Sequence, residues 1–215
     1  MKNLIKDTLV LFVITLIAGA LLGFINQLTK DPIEEYEKEK KTLACAEVFY
    51  EEDENGKIVQ TEELIFELCS KEELADCNRN IQEQTGGTIV IDEIYRAYTE
   101  QGAPLYGYVI GVTTKEGYNG EISFYVGITA EGKMKGVSLL HIAETPGLGM
   151  NAENVLLPQF RDVQADIFTV VKTGAMMPNE IDGISGATVT SEAITEGVNA
   201  AYECYVLLQE GGETS

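Results

Sequence analysis

Residues 9–25, "LVLFVITLIAGALLGFI", are apolar apart from Thr15, and this run limits what the chain can become more than any other stretch. As a helix it approaches the roughly 20 residues needed to cross a bilayer. The terminal amine, Lys2 and Lys6 precede it, and the positive-inside rule keeps that end cytoplasmic. Ala18-Gly19-Ala20 would suit signal-peptide cleavage, but the apolar run continues through Ile25, which fits an uncleaved anchor better. The expected organisation begins with a cytoplasmic N-terminus (1–8), a transmembrane helix (9–28) and an extracytoplasmic remainder.

Charge narrows the function of that remainder. The chain carries 35 acidic and 15 basic side chains, a net charge of −20. Such a surface opposes nucleic acid, whose phosphates need cations. A single histidine, His141, argues against a multi-histidine metal site or a serine–histidine relay, and no metal site is expected. It reads as a structural residue. Cys45, Cys69, Cys77 and Cys204 form no C-x-x-C pair. Cys69 and Cys77 are near enough in sequence to bond to each other outside the cytosol; otherwise the four are small buried thiols.

Residues 29–87 read as a stalk helix followed by an acidic irregular segment. Asp31 and Pro32 suit a helix start, with Glu34 and Glu35 in its first turn. A short helix is expected around 61–70. From Thr88 the hydrophobic period changes to two. "TIVIDEIYRAYTE", "LYGYVIGVTT", "GEISFYVGIT" and "KMKGVSLLHIAE" are strand candidates rich in Val, Ile, Tyr and Phe. A short helix over 151–160 and a strand "IFTVVKT" follow. Ile194, Val198, Ala201, Tyr202, Tyr205 and Leu208 then fall at helical spacing. The fold class is α+β, an antiparallel sheet flanked by helices, over 88–209, with a flexible tail at 210–215.

The stretch "DGISGATVTS", residues 182–191, places glycines and hydroxyls against the start of that last helix. Unpaired N–H groups at a helix start favour an anion, and Gly183 and Gly186 admit a close approach. Ser and Thr there also serve as ordinary caps. Asp182 is a turn former as well as a candidate site residue.

Asp182-Gly183-Ile184-Ser185-Gly186-Ala187-Thr188 resembles the flavinylation motif of the FMN-binding domain family. A second stretch, Glu144-Thr145-Pro146-Gly147-Leu148-Gly149, resembles a loop of the Rnf and Nqr members of that family. The resemblance implies one covalent FMN per chain, joined through its phosphate to Thr188 by a separate flavin transferase. It implies that Asp182, Ser185, Gly186 and Ala187 surround that attachment. Glu144, Thr145, Gly147, Leu148 and Gly149 would help enclose the flavin ring, with Met150 as a further contact. Tyr106, Tyr108, Tyr118 and Tyr125 remain equal candidates for stacking on it, and Lys133 and Lys172 for its polar edge. The implied role is an electron relay without substrate turnover of its own, in an Rnf-type ferredoxin:NAD oxidoreductase complex that moves Na⁺ or H⁺. Its partners would be the membrane and iron–sulfur subunits. The C subunit of a Na⁺-pumping NADH:quinone oxidoreductase, a free-standing extracellular flavoprotein and an anchored binding domain without cofactor stay open as alternatives.

Overall fold

Two units divide the chain, Met1–Thr42 and Leu43–Ser215. The computed structural model describes residues 2–52, 58–59 and 64–212. Within these, the side chains of 2–5, 7, 25, 26, 28, 30–35, 37–39, 51, 52, 58, 59 and 212 lie outside the description.

One helix, α1 (Lys2–Glu47), supplies the first unit and the opening of the second. The expected helix start at Asp31-Pro32 is instead a continuation of α1; the side chains there lie outside the described residues. Between Leu9 and Phe24 the large apolar side chains are exposed, from 42% at Val13 to 69% at Leu22. Among the described residues no helix is long and apolar enough to cross a membrane; the side chains at 25, 26 and 28 of the expected span are outside them.

The second unit is α+β. Two short strands, β1 (Glu51–Glu52) and β2 (Ile58–Val59), pair antiparallel. Among the described residues, six further strands form an antiparallel sheet in chain order: β3 (Ile65–Leu68), β4 (Ile89–Tyr98), β5 (Leu105–Gly117), β6 (Gly120–Thr129), β7 (Lys133–His141) and β8 (Val163–Gln164). Alternation along the strands sends side chains to two apolar layers. Ile110, Val112, Phe124 and Val126 meet α2 (Lys71–Thr85) and α4 (Thr188–Gly212) on one face. Val109 and Tyr125 meet Ala44, Cys45, Val48 and Phe49 on the other.

Three expectations need correction. Residues 65–68 are a strand at the edge of β4, and the helix begins later, at Lys71. Ser70 and Glu73 cap each other's backbone there, and that capping box sets the start. The disulfide joins Cys77 to Cys204, with Cα atoms 5.1 Å apart, and not Cys69 to Cys77. Cys77 lies on the buried face of α2, against α4, whereas Cys69 precedes the cap and rests on Arg96, Nη1 to Sγ 3.3 Å. Burial first raises the Cys69 thiol to about 11. Third, the strand expected at 167–173 is only β9 (Thr169–Val171), which pairs parallel with β10 (Glu180–Asp182). The short helix expected at 151–160 is α3 (Ala152–Val155) with a 3₁₀ turn on either side. Of the tail, Gly212 ends α4, and residues 213–215 lie outside the description.

Candidate functional site

The loop after β7 folds back on itself through one carbonyl. Thr145 O accepts from Leu148 N at 3.1 Å and from Met150 N at 3.3 Å. Gly147 takes φ +76°, a conformation that a residue with Cβ resists. Gly149 has no room for a side chain. A Cβ there would come 2.7 Å from both Glu144 Cβ and Thr190 Oγ1. The loop therefore lies directly against the first turn of α4.

That first turn is unusual in its cap. Ala187 stands at the N-cap position and has no side-chain oxygen to offer. Its own N–H donates to Ile184 O at 2.9 Å, and its carbonyl takes Ser191 N at 3.0 Å. Among the described residues, no acceptor is found for the backbone N–H groups of Thr188, Val189 and Thr190. Gly186, at φ +78°, turns the chain into the helix, and Leu148 Cδ2 leans over it, 3.1 Å from where its Cβ would stand.

The two loops enclose a cavity of about 520 Å³ lined by Glu144, Thr145, Leu148, Gly149, Gly186, Ala187 and Thr188, together with Val189, Thr190 and Tyr118. Of the remaining candidates, Gly147 shapes the loop from outside the wall. Ser185 is exposed beside it. Asp182 points elsewhere: its Oδ1 accepts from Ala175 N at 3.0 Å, and its backbone pairs with the Gln159 amide. It is a loop organiser. Met150 is 41% exposed and is not part of the wall.

The hydroxyls near the helix start differ in availability. Thr188 is exposed on the cavity wall. Thr190 is 1% exposed, its hydroxyl against Gly149. Ser191 is fully buried; its Oγ accepts from Ile184 N at 2.9 Å and donates to Ala187 O at 3.0 Å.

The third wall was legible only as Tyr118, one of four equal tyrosine candidates; Asn119 was not singled out. The β5–β6 hairpin tip carries Tyr118 into the cavity lining and Asn119 against the loop. Asn119 N donates to Glu144 Oε1 at 3.3 Å, and its Nδ2 to Thr145 Oγ1 at 3.4 Å. The signal was Asn119-Gly120, the dipeptide of tight hairpins. The other three tyrosines lie away from the cavity lining. Tyr108 and Tyr125 are buried in the two apolar layers, and Tyr106 packs edge-on to Phe49. His141 is exposed at the end of β7, and Lys133 pairs with Asp162 at 3.1 Å. Two turns beyond Thr188, Glu196 lies near both Glu116 and Glu192. Burial, then the Glu116 hydrogen bond and the charges of Glu116 and Glu192, raise the Glu196 carboxyl above its ordinary range.

Residues 117–203, from that hairpin tip into α4, match the FMN-binding domain family, and residues 1–48 match the RnfG N-terminal region. The G subunit of the Na⁺-translocating ferredoxin:NAD⁺ oxidoreductase complex of Acetobacterium woodii is 30% identical over 207 residues, spanning 95% of this chain and 92% of that protein. The chain belongs to the G-subunit family of ion-translocating oxidoreductase complexes. The G subunit of the proton-translocating ferredoxin:NAD⁺ oxidoreductase complex of Clostridium ljungdahlii is 41% identical over 105 residues, 48% of this chain and 56% of that protein. The crystal structure of Shewanella oneidensis NqrC aligns with a TM-score of 0.47 at 21% identity, covering 55% of this chain and 61% of that one. The family match to an FMN-binding domain takes in both loops, the hairpin tip and the helix start.

Proposed function

We propose that this G-family chain is the membrane-anchored flavoprotein relay of an ion-translocating ferredoxin:NAD oxidoreductase complex, with FMN held as a phosphoester of Thr188. The residues present fit that group. The cavity lies within the roughly 300–1,000 Å³ usual for small-molecule sites. Tyr118, Leu148 and Val189 give it apolar surface for a flat ring, and the first turn of α4, whose N–H groups suit a phosphate, forms part of its lining. Among the described residues no Lys or Arg lines it, and the helix start supplies positive potential there.

The observation that carries the attachment is the contrast among three hydroxyls: Thr188 is free on the wall, while Thr190 and Ser191 are buried. Bound FMN supplies one-electron chemistry, and the protein supplies position, field and shielding. Glu144, 5% exposed and held by the Asn119 N–H, fixes an acceptor in the wall. Leu148, leaning on Gly186, covers one side of the helix start. Covalent attachment keeps the cofactor from diffusing away outside the cell; a flavin transferase makes the bond, and the other subunits of the complex exchange the electrons.

For the anchor, what speaks is the bare apolar surface of α1 between Leu9 and Phe24, which water does not tolerate. The Cys77–Cys204 disulfide favours an oxidising compartment for the domain. Protein co-expressed with a flavin transferase, digested and mapped by mass spectrometry, should carry FMN on the peptide containing Thr188 and at that residue. An adduct on Thr190 or Ser191 would refute the assignment. Protease applied to intact cells should cut the domain and spare residues 1–8; the opposite pattern would reverse the topology.

A further inference from the structure

The β5–β6 hairpin tip holds a tyrosine that the fold itself does not use. Tyr118 is 70% exposed although it is a large, mostly apolar side chain. Among the described residues it is the sole aromatic side chain lining the cavity. Its neighbours in sequence explain why it stays there. Asn119 ties the tip to Glu144 and Thr145 through two hydrogen bonds, so the tip is tethered to the opposite loop and not packed into the core. Gly117 leaves the space this requires, since a Cβ there would come 2.9 Å from Glu144 Oε1. Leu148 is also partly exposed, at 39%, and leans on Gly186 from the other loop. An aromatic and an aliphatic side chain, both incompletely buried and both turned to one cavity, are short of a flat apolar group between or beside them.

On the reading that FMN sits on Thr188, we infer that Tyr118 lies with its ring face on the flavin and tunes its potential, with Asn119 as the positioning residue that holds it there. The face of an aromatic ring is negative. Laid on a flavin, it opposes the negative charge that reduction adds and so lowers the potential. The phenol is also a quencher: excited flavin takes an electron from it and returns it, with no net chemistry. These two effects have different requirements. Quenching needs the oxidisable phenol nearby, whereas the effect on potential needs only the ring face. Tyr118→Phe separates them.

The test uses full-length protein matured with a flavin transferase, with FMN occupancy of Thr188 counted by peptide mass in every sample. Flavin fluorescence lifetime and midpoint potential are then measured. Tyr118→Leu should lengthen the mean lifetime several-fold and raise the potential. Tyr118→Phe should lengthen the lifetime while holding the potential near that of the wild type. Asn119→Ala should fall between the wild type and Tyr118→Leu in both. Because Tyr118 is an exposed hairpin residue, its variants should melt with the wild type. If Tyr118→Leu carries FMN with unchanged lifetime and potential, the Tyr118 assignment is wrong while the Thr188 reading stands. If Tyr118→Phe shifts the potential as Tyr118→Leu does, the ring face is not on the flavin. If wild-type protein carries no FMN on Thr188, both fall together.

Discussion

Helices α2 and α4 lie on the same face of the sheet, yet their first turns are built in opposite ways. At α2, Ser70 Oγ accepts from Glu73 N at 3.2 Å, and Glu73 Oε2 accepts from Ser70 N at 2.9 Å. Glu73 also binds Arg96, so that start is closed by side chains from two elements. At α4 the corresponding position is Ala187, and the next three N–H groups have no acceptor among the described residues. Lacking a cap costs a helix about 1 kcal/mol. The chain surrounds Ala187 with hydroxyls, yet uses none of them as a cap: Ser191 is turned back to clip Ile184, and Thr188 is left on the wall. One helix start serves stability; the other is kept open where a cavity meets it.

The strongest way to break this contrast is to remove one hydroxyl from each start. Thr188→Ala should abolish covalent flavin fluorescence on a denaturing gel under ultraviolet light while the domain still folds. Ser70→Ala should leave that band at full intensity. Loss of the band in both variants would mean that folding, not the site, controls maturation. Next in size is Gly149→Val. Its side chain would meet Glu144 and Thr190, and overpacking of this kind costs about 1–3 kcal/mol. Melting temperature should fall and the flavin spectrum should change. Gly147→Val has open space around it but demands positive φ, a strain of about 1–2 kcal/mol. It should disturb the spectrum less than Gly149→Val.

How far the sequence disclosed these two regions follows from the range of the interactions involved. The sheet from Ile89 to His141 was readable because its apolar residues alternate locally and its connections are short. The α4 start was readable because its glycines and hydroxyls are contiguous. The α2 region was not read, although Ser70-Lys71-Glu72-Glu73 spells a capping box. Strand β3 has only four residues and exists by virtue of β4, some thirty residues on. The disulfide spans 127 residues, a distance over which spacing carries no information. Choosing Tyr118 over Tyr106, Tyr108 and Tyr125 required the hairpin to be folded, since all four sit in strand-like surroundings. The place of Asp182 in the motif was legible, but the contact of its carboxylate with the Ala175 N–H, seven residues back, was not.

A smaller effect tests whether Ser191 belongs to the scaffold of the open start or to its chemistry. Ser191→Ala leaves the Ile184 N–H buried without an acceptor, which costs about 1–3 kcal/mol. Chemical denaturation should register that loss. The flavin band should keep its intensity per folded molecule, because Thr188 is untouched. A variant that folds normally but lacks flavin would move Ser191 into the site.

The smallest effect concerns the closed start and its dependence on pH. The Arg96 hydrogen bond, ahead of the opposing cost of burial and with help from Ser70, lowers the Glu73 carboxyl from about 4.5 to about 2. A carboxyl whose folded value is depressed stabilises the fold above its unfolded value and loses that contribution as pH falls through the folded one. The contribution of Glu73 is thus complete above about 4.5 and fades as pH falls towards 2. Both partners are about a third exposed, 29% for Arg96 and 32% for Glu73, so solvent screening holds the ion pair to about 1 kcal/mol or less. Urea melts of wild type and Glu73→Gln should therefore differ at pH 7 by that small amount and converge as the pH is lowered through this window. The flavin band should not change at any pH where the domain is folded, since α4 begins without help from Glu73. A gap that persists unchanged at pH 2 would show that Glu73 acts through packing and not through charge. The closed start would then owe its stability to the Ser70 cap and the packing of Glu73, with no part left for the ion pair.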